Sequence, residues 1–154
     1  MTSRTPARLY AVLVFVLALT GFAQMPIFKR YYIADIPGLG WLAQYYVTHK
    51  IHYVGAALLL ALVAWAATGW LARWSRSRRM TGSGWVRALL LVGIVLTGII
   101  RMYKNQPGVS FSPELTMVVD WAHLGLVLLL GLAALAARVL GKRDWTVPLA
   151  RAGS

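Results

Sequence analysis

The chain has 154 residues, of which 59% are hydrophobic and only 13% are charged, and it contains no cysteine. So little charge indicates a membrane protein rather than a soluble domain. The lack of cysteine excludes disulfides, thiolate metal sites, cysteine-bound iron–sulfur clusters and c-type haem attachment. The net charge of +12 is spread over the ends of apolar runs, which favours membrane topology over nucleic-acid binding.

Four apolar runs approach or exceed the ~20 residues that cross a bilayer as a helix. They lie at about 9–27, 42–71, 85–103 and 115–140. They predict an all-α, integral membrane four-helix bundle that forms a single domain over residues 1–154. The first run could instead be a signal peptide, but its length and the lack of a clean small-x-small site after it favour a retained helix.

The segments between these runs are polar or aromatic. Residues 28–41 predict an interfacial loop, because rings with a polar edge collect at the headgroups. Residues 73–79 predict a basic loop, and the basic tail after the fourth run is expected to be loose.

Four spans place both termini on one side of the membrane. That side carries eleven of the sixteen basic residues: Arg4, Arg8, Arg73, Arg76, Arg78, Arg79, Arg87, Arg138, Lys142, Arg143 and Arg151. An excess of lysine and arginine marks cytoplasmic segments. We therefore predict cytoplasmic termini and a multi-pass protein of the bacterial inner membrane.

All three histidines lie near the outer ends of the second and fourth spans, and an ionisable residue inside a span is a functional-site hypothesis. Both spans run inward, so His52 and His123 are expected at similar depth, where two imidazoles can ligate the iron of one haem b. Gly55 and Gly125 would let a flat macrocycle approach the backbone. The alternative is that the histidines are interfacial and the glycines only pack helices.

His49 lies one turn before His52 on the same helical face. Its role stays open: it could replace His52 as the ligand, bind a propionate, take a proton from a quinol, or be an ordinary headgroup residue. Tyr45, Lys50 and Asp120 complete a candidate quinone or proton site with His49.

Arg101 and Lys104 end the third span on the outer side. Because haem propionates are carboxylates, both residues are candidate propionate partners, with snorkelling anchors as the alternative. Asp120 lies one turn before His123. It could bond a histidine or relay protons, but a solvated first-turn carboxylate at a positive helix end is the simpler interpretation.

Four motifs occur in order along the chain: Leu-Ala-Leu-Thr-Gly at 17–21, His52 with its small residues, Leu-Thr-Gly-Ile-Ile at 96–100, and His123 followed by Gly125. In this order and spacing, the chain resembles the cytochrome b (gamma) subunits of respiratory formate dehydrogenases, which are related to the cytochrome b of nickel–iron hydrogenases. The resemblance implies that His52 is the second-helix haem ligand and His123 the first of two fourth-helix histidines.

The chain departs from this family where a second, cytoplasmic-side haem would bind. The family has a histidine early in the first helix and another about four turns after the position of His123, whereas this sequence has Ala7 and Ala137 there. The resemblance therefore implies the outer haem alone. The family position three residues before the second-helix ligand is often basic, which favours His52 over His49 as the ligand.

The sequence thus predicts an electron-transfer subunit rather than an enzyme by itself. Its haem would connect an extracytoplasmic iron–sulfur or cytochrome partner of a respiratory complex with the membrane quinone pool. In the family, the quinone site adjoins the haem that is missing here. A quinone would therefore bind near the outer haem, or the subunit would pass electrons only between protein partners.

Two other classes of protein compete with this prediction. One is a haem-free membrane anchor or assembly subunit of a larger complex. The other, a small transporter, is disfavoured because the spans have no paired charges at mid-depth and show no inverted repeat.

Overall fold

A computed structural model of the chain describes residues 5–25, 32 and 35–149. Within these residues the chain forms four long helices, α1 (Thr5–Ala23), α2 (Tyr45–Ala72), α3 (Gly82–Lys104) and α4 (Pro113–Val139). By length and composition, each is able to cross a membrane. The prediction of an all-α, four-helix protein is confirmed at this level, and the helices are consistent with a membrane helical bundle.

The chain divides into two compact units, one ending at Ala72 and the other beginning at Arg73. In the N-terminal hairpin α1 packs along α2, and in the C-terminal hairpin α3 packs along α4. Most side chains on all four helices are at least partly exposed. Apolar surface of this kind suits a lipid environment, where a helix satisfies its backbone groups internally.

The ends of the first two spans differ from the sequence prediction. Helix α1 ends at Ala23 rather than near residue 27, because the N–H groups of Gln24 and Met25 bond back to carbonyls three residues earlier and close the helix. Residues 26 and 27 lie outside the described residues. Helix α2 begins at Tyr45 rather than at Leu42, which belongs to a separate 3-10 turn and is 1% exposed.

Some sequence predictions fall on residues that the structure does not describe. They concern six of the fourteen residues of the interfacial loop at 28–41, and the charges of Arg4, Lys29, Arg30 and Arg151. These predictions stand as they were made from the sequence.

The prediction of a loose C-terminal tail is wrong for the residues just after α4. Strand β1 (Arg78–Met80), which precedes α3, pairs antiparallel with β2 (Thr146–Pro148) in the tail. The Arg78 guanidinium also donates to the Thr146 hydroxyl and carbonyl oxygens, at 2.8 and 2.9 Å. Backbone pairing and these side-chain bonds together hold the tail against the start of α3.

A second set of bonds joins the tail to the first turns of α3. The Thr81 hydroxyl caps the helix by accepting from the Gly84 N–H, and it donates to the Asp144 carbonyl at 2.8 Å. The buried Arg87 guanidinium donates to the Arg143 carbonyl at 3.1 Å and lies 4.5 Å from the ring centroid of Trp145. Carbonyl oxygens and an aromatic face thus compensate this cation for its lost hydration.

Candidate functional site

The first candidate ligand, His52, lies on the face of α2 that packs against α1. Its Nδ1 is 2.9 Å from the Thr20 hydroxyl oxygen. Thr20 is fully buried, and its hydroxyl lies 2.7 Å from the Val16 carbonyl oxygen one turn earlier. The next residue, Gly21, leaves room for the ring, since a Cβ there would be 3.3 Å from His52 Cε1.

The second candidate ligand, His123, has the same surroundings in the C-terminal hairpin. Its Nδ1 is 2.9 Å from the Thr97 hydroxyl oxygen, which lies 2.8 Å from the Gly93 carbonyl oxygen. The residue after the threonine is again a glycine, and a Cβ at Gly98 would be 3.5 Å from His123 Cε1. Each hairpin therefore holds one histidine by a Thr-Gly pair on the neighbouring helix.

The likeness extends one turn toward the connection between the two helices of each hairpin. The residue four after the threonine contacts the residue three before the histidine in both. In the N-terminal hairpin these are Gln24 and His49, whose Oε1 and Nδ1 lie 3.3 Å apart. In the C-terminal hairpin they are Arg101 and Asp120, joined by an ion pair of 2.9 Å. The two positions are geometrically equivalent, but one hairpin has a histidine–amide contact there and the other an ion pair.

On the opposite side of each histidine, a leucine packs against a glycine. A Cβ at Gly55 on α2 would lie 3.2 Å from the Leu17 side chain of α1. In the C-terminal hairpin the glycine lies on the first helix and the leucine on the second. A Cβ at Gly93 on α3 would lie 3.1 Å from Leu126 of α4. In both hairpins a glycine–leucine contact thus brings the two helices close together, whichever helix carries the glycine.

Sequence reasoning missed this internal repeat. From the sequence, both Thr-Gly stretches are predicted only as motifs of a family, and the repeat they belong to is direct rather than inverted. The same features occur in the same order along the chain in both hairpins, and Leu-Thr-Gly recurs at 19–21 and 96–98. A histidine follows each threonine, after 32 and 26 residues respectively. The recurrence of Leu-Thr-Gly, each time followed by a histidine in the next helix, was the available signal.

The third histidine, His49, lies within a row of tyrosines on α2. Its ring stacks on Tyr45, with 5.2 Å between centroids, and contacts Tyr53 at 4.2 Å. Lys50 is exposed. Of the candidate quinone or proton site, the structure therefore brings Tyr45 and His49 together in the N-terminal hairpin, whereas Asp120 belongs to the other hairpin.

The surroundings of Asp120 correct one interpretation of the sequence. Helix α4 begins at Pro113, so Asp120 lies two turns inside it and is not a first-turn carboxylate. Its oxygens pair with Arg101 at 2.9 Å and with Lys104 at 3.0 Å. Because the effect of the helix dipole fades beyond the first turn, these two cations stabilise the carboxylate. Arg101 and Lys104, the proposed propionate partners, thus share an anion of the protein.

The two glycines proposed to admit a macrocycle differ in their surroundings. Gly55 is buried against Leu17 inside the N-terminal hairpin, where it serves helix packing, the alternative left open by the sequence. Gly125 has no atom of its own hairpin within 4 Å of the position of a Cβ. Gly125 therefore has open space on its own face of α4, but residues two positions apart on a helix do not face each other, so this is not the face of His123.

In the described part of the chain, no three or more His, Cys, Asp or Glu side chains group together as a metal site. No protein-family model, curated protein or solved structure matches the chain. The likeness to respiratory cytochrome b subunits therefore stays a prediction from the sequence motifs.

Proposed function

We propose that the chain is a membrane cytochrome b subunit that carries one haem b, with His52 and His123 as the axial ligands of its iron. The observation that carries this proposal is the repeated arrangement, in which a threonine holds Nδ1 of a histidine and a glycine makes room for its ring. Histidines that ligate a metal are usually held by a hydrogen bond at the other ring nitrogen. Two such imidazoles are the axial donor set of a bis-histidine b haem.

The donor set fits a haem better than a bare metal ion. A protein-bound zinc ion needs three or four protein ligands, and the described residues contain no group of three. A haem brings its own pyrrole nitrogens and requires only axial ligands from the protein. When bound, the haem supplies one-electron redox chemistry.

Arg101 and Lys104 are the proposed partners of the haem propionates. Together with Asp120 they form a cluster of two cations and one anion, whose net positive charge favours a further carboxylate. Lys104 is the more buried of the two, with 15% of its side chain exposed against 36% for Arg101. Lys104 is therefore more fixed in position, and Arg101 is better placed to reach a ligand.

The proposed role is electron transfer between an extracytoplasmic iron–sulfur or cytochrome subunit of a respiratory oxidoreductase and the membrane quinone pool. The catalytic reaction would belong to that partner, so the chain is not an enzyme by itself. His52 and His123 bind and orient the cofactor, while the apolar helix faces meet membrane lipid and exclude water.

A quinone is the proposed second ligand, and His49 is the group that would accept a proton from its reduced form, the quinol. The Gln24 amide and the Tyr45 and Tyr53 rings fix the His49 side chain in position. Lys50 is the adjacent cation for a quinone oxygen, and Asp120 the carboxylate that would relay protons from the C-terminal hairpin.

The charge at the helix ends supports cytoplasmic termini in a bacterial inner membrane. Basic residues are concentrated at the start of α1, in the segment between α2 and α3, and at and after the end of α4. The described residues there include Arg8, Arg73, Arg76, Arg78, Arg79, Arg138, Lys142 and Arg143. Such an excess is retained on the cytoplasmic side during insertion.

A haem-free membrane anchor or assembly subunit is the alternative function. One observation favours it: both Thr–His bonds lie inside a hairpin and clamp its two helices, a role that needs no cofactor. The two functions differ in whether the histidines serve a ligand or only the fold.

The reduced-minus-oxidised absorbance spectrum of the detergent-purified protein tests the proposal. We expect a b-type signal that is lost in His52→Ala and in His123→Ala. His49→Ala is the matched control from the same helix, and it should keep the signal while slowing reaction with a quinol. A wild-type protein without a b-type signal would refute the haem. Loss of haem in His49→Ala but not in His52→Ala would show that the ligand is His49.

A further inference from the structure

The threonines opposite the two histidines each bear a single hydroxyl proton, and the structure indicates where that proton lies. The Thr20 hydroxyl oxygen is 2.7 Å from the Val16 carbonyl oxygen, and that of Thr97 is 2.8 Å from the Gly93 carbonyl oxygen. Two oxygens at this separation repel each other unless a proton lies between them. Because a carbonyl can only accept, each hydroxyl must donate to its carbonyl.

Because each hydroxyl proton is used in the bond to the carbonyl, the donor in the threonine–histidine hydrogen bond is also fixed. Each hydroxyl oxygen is also 2.9 Å from Nδ1 of a histidine. With its proton engaged, the oxygen has only lone pairs to offer, so Nδ1 must be the donor. A neutral imidazole protonated at Nδ1 carries its lone pair at Nε2. The same reasoning applies to His52 and to His123, although their partners lie on different helices.

We infer that Thr20 and Thr97 are paired positioning residues that hold His52 and His123 in the Nδ1–H tautomer and so make Nε2 the ligating nitrogen of each. This inference rests on the proposed function in one respect: the ligand of Nε2 is taken to be the haem iron. The tautomer itself follows from the contacts within each hairpin. Imidazole in water prefers the opposite tautomer, with the proton on Nε2, so the threonines would work against the intrinsic preference of the ring.

The arrangement also fixes the plane of each ring. A hydrogen bond at Nδ1 and a glycine against Cε1 leave the imidazole little freedom to rotate, since Gly21 lies against His52 and Gly98 against His123. Fixing the axial ligands in advance reduces the conformational entropy lost on binding. The threonines do not touch the reacting atoms themselves; they act through the histidines.

The test uses the full-length chain in detergent, with Thr20→Val and Thr97→Val as the variants and Thr20→Ser and Thr97→Ser as matched controls. Valine has the shape of threonine without the hydroxyl, whereas serine keeps the hydroxyl and loses only a methyl group. The first readout is the ¹⁵N spectrum of labelled histidine in haem-free protein, which distinguishes a protonated from a bare ring nitrogen. His49→Ala identifies the signals of the third histidine.

We expect Nδ1–H for His52 and His123 in the wild type, loss of that tautomer at His52 in Thr20→Val and at His123 in Thr97→Val, and recovery in both serine variants. The second readout is haem titration, in which each valine variant should bind about 10-fold more weakly or worse, as for other residues that orient metal ligands. The serine variants should bind within a few-fold of the wild type, with the wild-type midpoint potential.

The outcomes separate the two proposals. Nε2–H histidines in the wild type, or valine variants with unchanged tautomers, would overturn the inference even if the protein binds haem. Unchanged haem affinity and potential in both valine variants would overturn the positioning role. A wild-type protein that shows the Nδ1–H tautomer but binds no haem would refute the proposed function alone.

Discussion

The close contact between Gly84 and the C-terminal tail provides a sharp test of the fold. Gly84 lies in the first turn of α3, and a Cβ there would fall closer than 3.0 Å to the Trp145 carbonyl oxygen and 3.0 Å from its carbonyl carbon. Gly82, two residues earlier, has nothing within 4 Å of the position of a Cβ. Gly84→Ala and Gly82→Ala therefore add the same methyl group at a crowded and at an open position of one helix turn.

The size of the effect follows from the packing. The obstacle at Gly84 is backbone, which cannot rotate away, so the added methyl must push the tail from α3 at a cost of about 1–3 kcal/mol. Replacing a helical glycine with alanine stabilises the helix by at most ~1 kcal/mol. We expect Gly84→Ala to weaken the docking of the tail by about 1–2 kcal/mol, and Gly82→Ala to leave it unchanged or slightly stronger.

Trypsin cleavage after Arg143 in detergent measures the docking directly. The Arg143 carbonyl accepts a bond from Arg87, so the peptide bond is protected while the tail is docked. When opening is fast relative to cleavage, the rate follows the population of the open form. A loss of 1–2 kcal/mol should then speed the cut by about 5- to 30-fold. Equal cleavage rates in the two alanine variants would show that Trp145 does not pack against α3.

Two further predictions concern the hairpins. Gly21→Ala should lower the stability of the N-terminal hairpin by about 1 kcal/mol, because the His52 ring must shift by a few tenths of an ångström. Gly98→Ala, the matched control, adds only an ordinary van der Waals contact with His123. Equal shifts in the thermal midpoint of the two variants would contradict this difference. Asp120→Asn should lower the free energy of unfolding by about 0.5–1 kcal/mol at low salt, since it removes two partly exposed ion pairs and leaves Arg101 beside Lys104. High salt should shrink the loss, and a loss independent of salt would exclude the ion pairs as its cause.

The four helices were predictable because their signal is local. A run of about 20 apolar residues is sufficient to indicate a membrane-spanning helix. The ends were less predictable. Leu42 reads as part of the second span, but it lies in a separate 3-10 turn. Hydropathy does not distinguish a buried turn residue from the first turn of a helix.

The sequence by itself also determined where the candidate ligands lie, since a polar ring inside an apolar span stands out against its neighbours. It could not determine what each ring touches. Thr20 and Thr97 reach their histidines across 32 and 26 residues, and such a contact depends on the register and rotation of one helix against another. The pairing of Arg78 with Thr146 is of the same kind. Composition and periodicity describe each segment alone, whereas hydrogen bonds between segments form only once packing has brought them together, so the tertiary structure decided the partners.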